Sequence, residues 1–461
     1  MKNQFIFLQD YLLTPFYLAA LIFLLNIYFN KKHGNNKLLK KHFTLALYLK
    51  IFGCISISLI YQYYYKGAYD GTAYFKGAKM LTEYWFKYPE EFYRTIIEDL
   101  KTFNLTNRDG LHGRNYHLFA DASFVVSKVA GVFNIISFNS FLPNALFFCT
   151  IAFIGLWNFF IFIIQEFKIP LKAAALSTLY IPSVLVWGSG IFKDTITFTA
   201  LLWLFMCGYY VFIKRRKIII NIIAIIICTI LIYSIKSYII AAFIPFFIIF
   251  VVNSNKNQIK NPLIRTLSIP LMLIIGIGSM SLFLKYADDL FGRYSVDSVL
   301  ETASMTAYYI NEQKAGSTYT LNVDFSSPAG IVAAIPLAIN ITLFRPYPWE
   351  YLNPFILFAS IESMLFLYFT IKLLFKKGLT KSFGIIWNNP IIHFCLLFSL
   401  TFAFMVGVSS ANFGSLVRYK IPIMPFYLLF LAVLYKEKYT VDKQKRKKRK
   451  STALNQTPFH Q

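Results

Sequence analysis

At 461 residues, with 57% hydrophobic, 19% aromatic and only 15% charged side chains, the chain is too apolar for a soluble globular protein, which carries roughly a quarter charged residues. Its formal charge of +25 (46 basic against 21 acidic) would suit a nucleic-acid binder. Most basic residues, however, sit in short loops between apolar runs, the positive-inside pattern of a membrane protein, and this excludes a nucleic-acid role. Cys54, Cys149, Cys207, Cys228 and Cys395 all fall within apolar segments and form no CxxC pair, so they read as packing residues.

Apolar runs fall at about 11–29, 43–64, 141–165, 173–190, 194–213, 218–234, 237–252, 266–286, 353–375, 388–408 and 421–435. Runs of this length fit transmembrane helices. The fold class predicted is therefore all-α, a polytopic transmembrane bundle of about eleven spans. It forms one domain over 1–435, with long external loops at 65–140 and 287–352 and a basic tail at 436–461. The run at 11–29 is too long and too weakly flanked for a cleaved signal peptide and reads as a retained first span. With the N-terminus outside, the basic loops 30–42, 214–217, 255–265 and 376–381 and the tail all lie on the cytoplasmic side. The apolar segment 329–344 then cannot be a single span without breaking parity; it is re-entrant or pairs with 118–137.

The first span pair ends at "GAYDGTAYF" (67–75), where Asp70 stands among glycines and aromatics. Either Asp70 starts a helix over 72–86 or it is a chemical group at the membrane boundary. Pro89 then occupies a first helical position. Phe92, Ile96, Leu100 and Phe103 follow as one apolar stripe opposed by Glu90, Glu91, Arg94, Glu98, Asp99 and Lys101. The spacing predicts a second amphipathic helix over 89–103, so that two juxtamembrane helices lie on the bilayer. Asp109, His112, His117 and Asp121 close the loop, and carboxylate and imidazole can both hold a divalent metal.

Further along, Lys193 and Asp194 follow a Gly-rich break, where the acid either complements a helix N-terminus or faces substrate. Arg345 and Glu350 share an elbow with three prolines; Arg345 can offer its planar fork to phosphate or pair with Glu350. Glu362 lies near mid-depth of its span and needs a partner, for which Lys50 and Lys236 are candidates. Arg418 and Lys420 precede the last span on the external side, as interface anchors or as contacts for an anionic lipid.

In this arrangement the chain resembles the GT-C superfamily of membrane glycosyltransferases, whose members carry an acid in a first large external loop directly after a membrane helix. The resemblance is architectural and covers most of the chain. It implies that Asp70 is a catalytic base, and that the donor is a polyprenyl-phosphate-linked sugar rather than a nucleotide sugar. Arg345, Arg418, Lys420, Lys193, Asp194 and Glu350 would then meet donor phosphate or acceptor, and Tyr69, Tyr74, Trp85 and Trp349 could stack on sugar rings. The partners implied are membrane lipid, the lipid-linked donor and a glycan or lipid acceptor, in a bacterial inner membrane. The chain departs from the family in one extra span before the loop-bearing pair and in lacking an acidic doublet at Asp70. A second resemblance is to O-antigen and exopolysaccharide polymerases, which share the span number and scattered external arginines. A lipid-linked glycan flippase without chemistry is the remaining alternative.

Overall fold

The computed structural model describes residues 4–67, 70–106, 121–255, 319, 321, 323, 328–350, 354–376, 378–410 and 412–437. The expected span at 266–286 and the basic tail beyond 437 lie outside them. The described chain is helical, and eight of its helices are long and apolar enough to cross a membrane. The protein is a multi-pass membrane protein.

In chain order the helices are α1 (Leu8–His33), α2 (Lys37–Tyr63), α3 (Asp70–Lys87), α4 (Phe92–Ile97), α5 (Leu100–Thr106), α6 (Asp121–Ser137), α7 (Phe141–Phe167), α8 (Leu171–Thr178), α9 (Pro182–Trp187), α10 (Lys193–Tyr209) and α11 (Ile218–Ser254). After the second long connection come α12 (Pro328–Phe344), α13 (Pro354–Phe375), α14 (Leu379–Asn388), α15 (Pro390–Ser409) and α16 (Phe413–Tyr419). A 3₁₀ turn leads from α16 into α17, residues 424–437.

Two faces can be told apart by what their ends touch. At one, Asp10 at the start of α1 accepts from the Leu142 amide at the start of α7 (2.9 Å), and Gln62 at the end of α2 accepts from the Phe5 and Ile6 amides. At the other, Trp157 donates to His33 (3.1 Å), and Lys436 at the end of α17 donates to the Phe167 carbonyl (3.0 Å). The first face also carries Asp70.

The 37-residue α11 looks like one helix, which if straight would be ~55 Å long. Its last neighbour, Asn255, nevertheless donates to the Phe212 carbonyl (3.2 Å), only a few residues before α11 begins. Both ends thus share a face, and the chain must fold back. It does so at Lys236, the one residue with non-helical angles (φ −149°, ψ 74°). The two expected runs 218–234 and 237–252 are the two arms of this hairpin.

The expected span 173–190 is instead broken into α8 and α9, each far too short to cross alone. Pro182 and the glycines after Trp187 set the breaks. Buried charges hold the fragment between them. Glu362 of α13 accepts from the Ser183 amide at the N-terminus of α9 (2.7 Å). Lys50 of α2 donates to the Val184 and Gly188 carbonyls at its C-terminus (2.8 and 2.7 Å). An acid at the N-terminus and a cation at the C-terminus both complement the helix dipole. Glu362 is therefore not paired to Lys50 or Lys236, as the sequence had invited.

Close backbone approach packs the bundle, as expected where lipid supplies no hydrophobic drive between helices. A Cβ at Gly53 would strike the Leu185 carbonyl oxygen of α9, and one at Gly407 the Ala338 carbonyl of α12. Helix α12 runs antiparallel to the upper part of α15, since Thr342 donates to the Ala403 carbonyl (2.7 Å) while Ala338 lies beside Gly407. The chain then returns to the Asp70 face, where Phe355 packs on Tyr64 and Tyr65.

The predicted juxtamembrane pair changes membership. Helix α3 spans the expected 72–86, but 89–103 is a 3₁₀ turn (Pro89–Glu91) followed by α4 and α5, interrupted at Glu98 and Asp99. The partner of α3 is α6: Thr82 donates to the Gly131 carbonyl (3.2 Å), and the Trp85 ring fills the space a Cβ at Gly131 would need.

Candidate functional site

The site grows from four chain breaks on one face. Gly67, in the left-handed region (φ 81°), turns the chain out of α2. Thr72 donates back to the Gly67 carbonyl (3.1 Å), and Asp70 falls in the first turn of α3. Asp194 falls in the first turn of α10. Lys236 sits at the fold of α11. Asn412 caps α16, accepting from the Gly414 and Ser415 amides (2.6 and 3.4 Å), and this helix carries Arg418.

Arg418 joins the two acids. Its guanidinium lies 3.1 Å from Asp70 and 3.5 Å from Asp194, and the Asp194 carboxylate also accepts from Lys236 at 2.5 Å. Exposure separates the acids: Asp194 is 1% exposed and Asp70 49%. Asp194 is thus a buried counter-ion and Asp70 a fixed carboxylate open to a ligand. Aromatic faces complete the walls. Arg418 lies over Phe192 (5.0 Å) and Trp187 (5.7 Å), Lys236 over Tyr419 (4.7 Å), and Lys193 over Tyr74 (5.7 Å). Burial, then the nearby Asp70 charge, push the Tyr74 hydroxyl well above its ordinary value. It stays a neutral donor. With every group ionised, Lys193, Lys236 and Arg418 against Asp70 and Asp194 give the cluster a formal charge of plus one. Such a cluster can hold an anion while Asp70 accepts a proton from a neighbouring hydroxyl.

The remaining sequence candidates are placed elsewhere. Arg345 and Glu350 pair with each other (Nε–Oε1 3.0 Å), with the Tyr347 amide donating to Glu350 (2.7 Å) and Phe413 under the guanidinium (5.1 Å). Burial opposes ionisation of Glu350, but the Arg345 hydrogen bonds and the Tyr347 amide outweigh it and hold the carboxyl below its ordinary value. Lys420 is fully buried and donates to Ser363 (3.0 Å). Asp109, His112 and His117 lie outside the described residues. Asp121 accepts from the Leu100 amide (3.3 Å), and no group of three metal-ligating side chains occurs among the described residues.

Sequence reasoning missed Lys236 as a member of the site, offering it to Glu362 instead. The signal was its position between two apolar runs, where a turn faces the same side as Asp194. It also missed Asp10, a buried acid tying α1 to α7. With this geometry in hand, comparison with known proteins adds nothing: no protein-family model matches the chain, and neither do curated proteins or solved structures.

Proposed function

We propose that the chain is a membrane glycosyltransferase of the GT-C kind. It would move a sugar from a polyprenyl-phosphate-linked donor to a glycan or lipid acceptor at the outer face, for cell-surface polysaccharide assembly. The observation that carries this reading is Asp70: a half-exposed carboxylate at a membrane face, locked by Arg418 and flanked by Lys193. In the step proposed, an acceptor hydroxyl gives its proton to Asp70 and its oxygen attacks the anomeric carbon. The bond from that carbon to the donor phosphate breaks with inversion, and polyprenyl phosphate leaves. A base at hydrogen-bonding distance contributes typically 10²–10⁴-fold. Arg418 and Lys193 would stabilise the charge that grows on the leaving phosphate. A polysaccharide polymerase would use the same parts repeatedly.

The broken α8–α9 passage favours one second reading, a lipid-linked glycan flippase, because discontinuous helices often line transport routes. Asp70→Asn separates the two. With surface glycan and lipid-linked intermediates followed by mass spectrometry, the variant should lose product by at least about a hundredfold at normal protein level. Full product from well-expressed Asp70→Asn protein would rule out the base.

A further inference from the structure

At the end of α2 opposite Asp70 lies a groove of about 510 Å³, lined by Lys37, Lys40, Lys41, Thr44, Leu45 and Tyr48. These positions are spaced i, i+3, i+4, i+7, i+8 and i+11, so they form one stripe along the helix. Phe43, Ala46, Leu47 and Lys50 are buried on the other side of α2, and the stripe therefore points away from the bundle. Leu45 and Tyr48 are 46% and 53% exposed, and Phe52, a turn further along the same line, is 70% exposed. On a helix long and apolar enough to cross a membrane, this part of the stripe meets lipid. The lysine part belongs among headgroups, where long cationic side chains reach water. From Lys41 to Phe52 the helix rises ~16 Å, close to the ~15 Å of one hydrocarbon leaflet.

Every charged side chain that lines the groove is basic. By contrast, Lys214 on the same face pairs with Glu166 (3.0 Å), and Lys436 donates to the Phe167 carbonyl. Lys40 is held in place from α1: it donates to Asn30 (3.2 Å), and its ammonium lies over the Phe29 ring (5.2 Å). Lys37 and Lys41 stand exposed on either side of this anchored cation. Thr44 sets a hydroxyl where the cations give way to the apolar stripe. The occupant must be anionic at one end and apolar over about one leaflet. We propose that the groove binds one anionic phospholipid of the leaflet opposite Asp70, its phosphate among the three lysines and an acyl chain along Leu45, Tyr48 and Phe52. A soluble phosphate would leave the apolar stripe bare, and a zwitterionic phospholipid would bring no net charge to the three cations. The site is separate from Asp70 and needs nothing of the chemistry proposed there.

The test is native mass spectrometry of the detergent-solubilised full chain, given equal amounts of phosphatidylglycerol and phosphatidylcholine with the same acyl chains. Phosphatidylglycerol should stay bound to the parent protein about tenfold more often than phosphatidylcholine. Lys37→Gln with Lys41→Gln, which spares the anchored Lys40, should cut that preference severalfold. Arg216→Gln with Lys217→Gln removes the same charge from another exposed turn of this face and should leave the preference in place. Equal binding of the two lipids to the parent protein overturns the proposal. So does an equal loss in the two double variants, which would mean attraction to overall charge rather than to the groove. Excess inorganic phosphate should not displace the lipid; displacement would give the lysines to a soluble anion and overturn the proposal too.

Discussion

Asp194 and Lys236 meet at 2.5 Å with side-chain exposures of 1% and 8%, so each is the other's main compensation for leaving water. Removing one partner of such a pair costs about 3–5 kcal/mol, because the survivor stays buried and charged. Asp194→Asn should therefore lower the thermal midpoint of the detergent-solubilised protein sharply, and Asp194→Asn with Lys236→Met should recover much of the loss. An unchanged midpoint in the single variant would remove the structural role. Glu350 offers a contrast at the same scale. Its folded pKa lies below the ordinary carboxylate value of 4.5, so its contribution is present above that pH and lost as pH falls through the folded value. Trp349, stacked on Tyr347 at 5.0 Å, reports on this elbow. Its fluorescence, taken as the difference from Trp349→Phe protein, should change on acidification, and Glu350→Gln should show the acid signal at neutral pH. The pairing of Arg345 with Glu350 was legible because only five positions separate them. The pairing of Asp194 with Lys236 was not, because 42 positions and a helix reversal separate that pair.

At the scale of the element, α9 shows what a sequence reveals about broken helices and what it withholds. Pro182 and the "GSG" at 188–190 mark the ends of the fragment in the sequence. Nothing local says that Glu362 and Lys50 cap those ends, since the caps come from α13 and α2. Mid-depth charges that hint at a transport pathway thus have a structural task, although Glu362 Oε1 and Ser183 Oγ are buried without a well-formed hydrogen bond among the described residues. Lys50→Met would leave the Gly188 carbonyl unsatisfied, at about 1–3 kcal/mol, while the Val184 carbonyl keeps the Gly188 amide. Gly53→Ala would push α2 off α9 for about 1–3 kcal/mol. Hydrogen exchange should show both variants unprotecting 182–188 well before α7 or α15, and protection equal to the parent protein would show that α9 is held by packing alone. The juxtamembrane pair teaches the same lesson: the 89–103 stripe gave a helical period, but the break at Glu98 and Asp99 and the choice of α6 as the partner of α3 depend on docking.

For the whole molecule, the charge of short loops fixes a two-faced order that the helix ends respect. Lys32, Lys37, Lys217, Lys376 and Lys436 belong to ends opposite the Asp70 face, while Asp70, Asp194 and Arg418 meet at the other. Which face is outside does not follow from helix packing; the positive-inside rule predicts that the basic ends stay in the cytoplasm. Under the proposed function, Asp70 would then meet lipid-linked sugars in the outer leaflet. The five native cysteines are buried, so single introduced cysteines can be labelled over a low background. Tyr65, 38% exposed and close to Asp70 in the chain, marks one face, and Lys217, exposed in the turn before α11, marks the other. In intact cells a membrane-impermeant maleimide should label Tyr65→Cys at once and Lys217→Cys only after permeabilisation. The reverse order would put Asp70 in the cytoplasm, where nucleotide sugars are available, and the case for a lipid-linked donor would fall even if Asp70 proved essential.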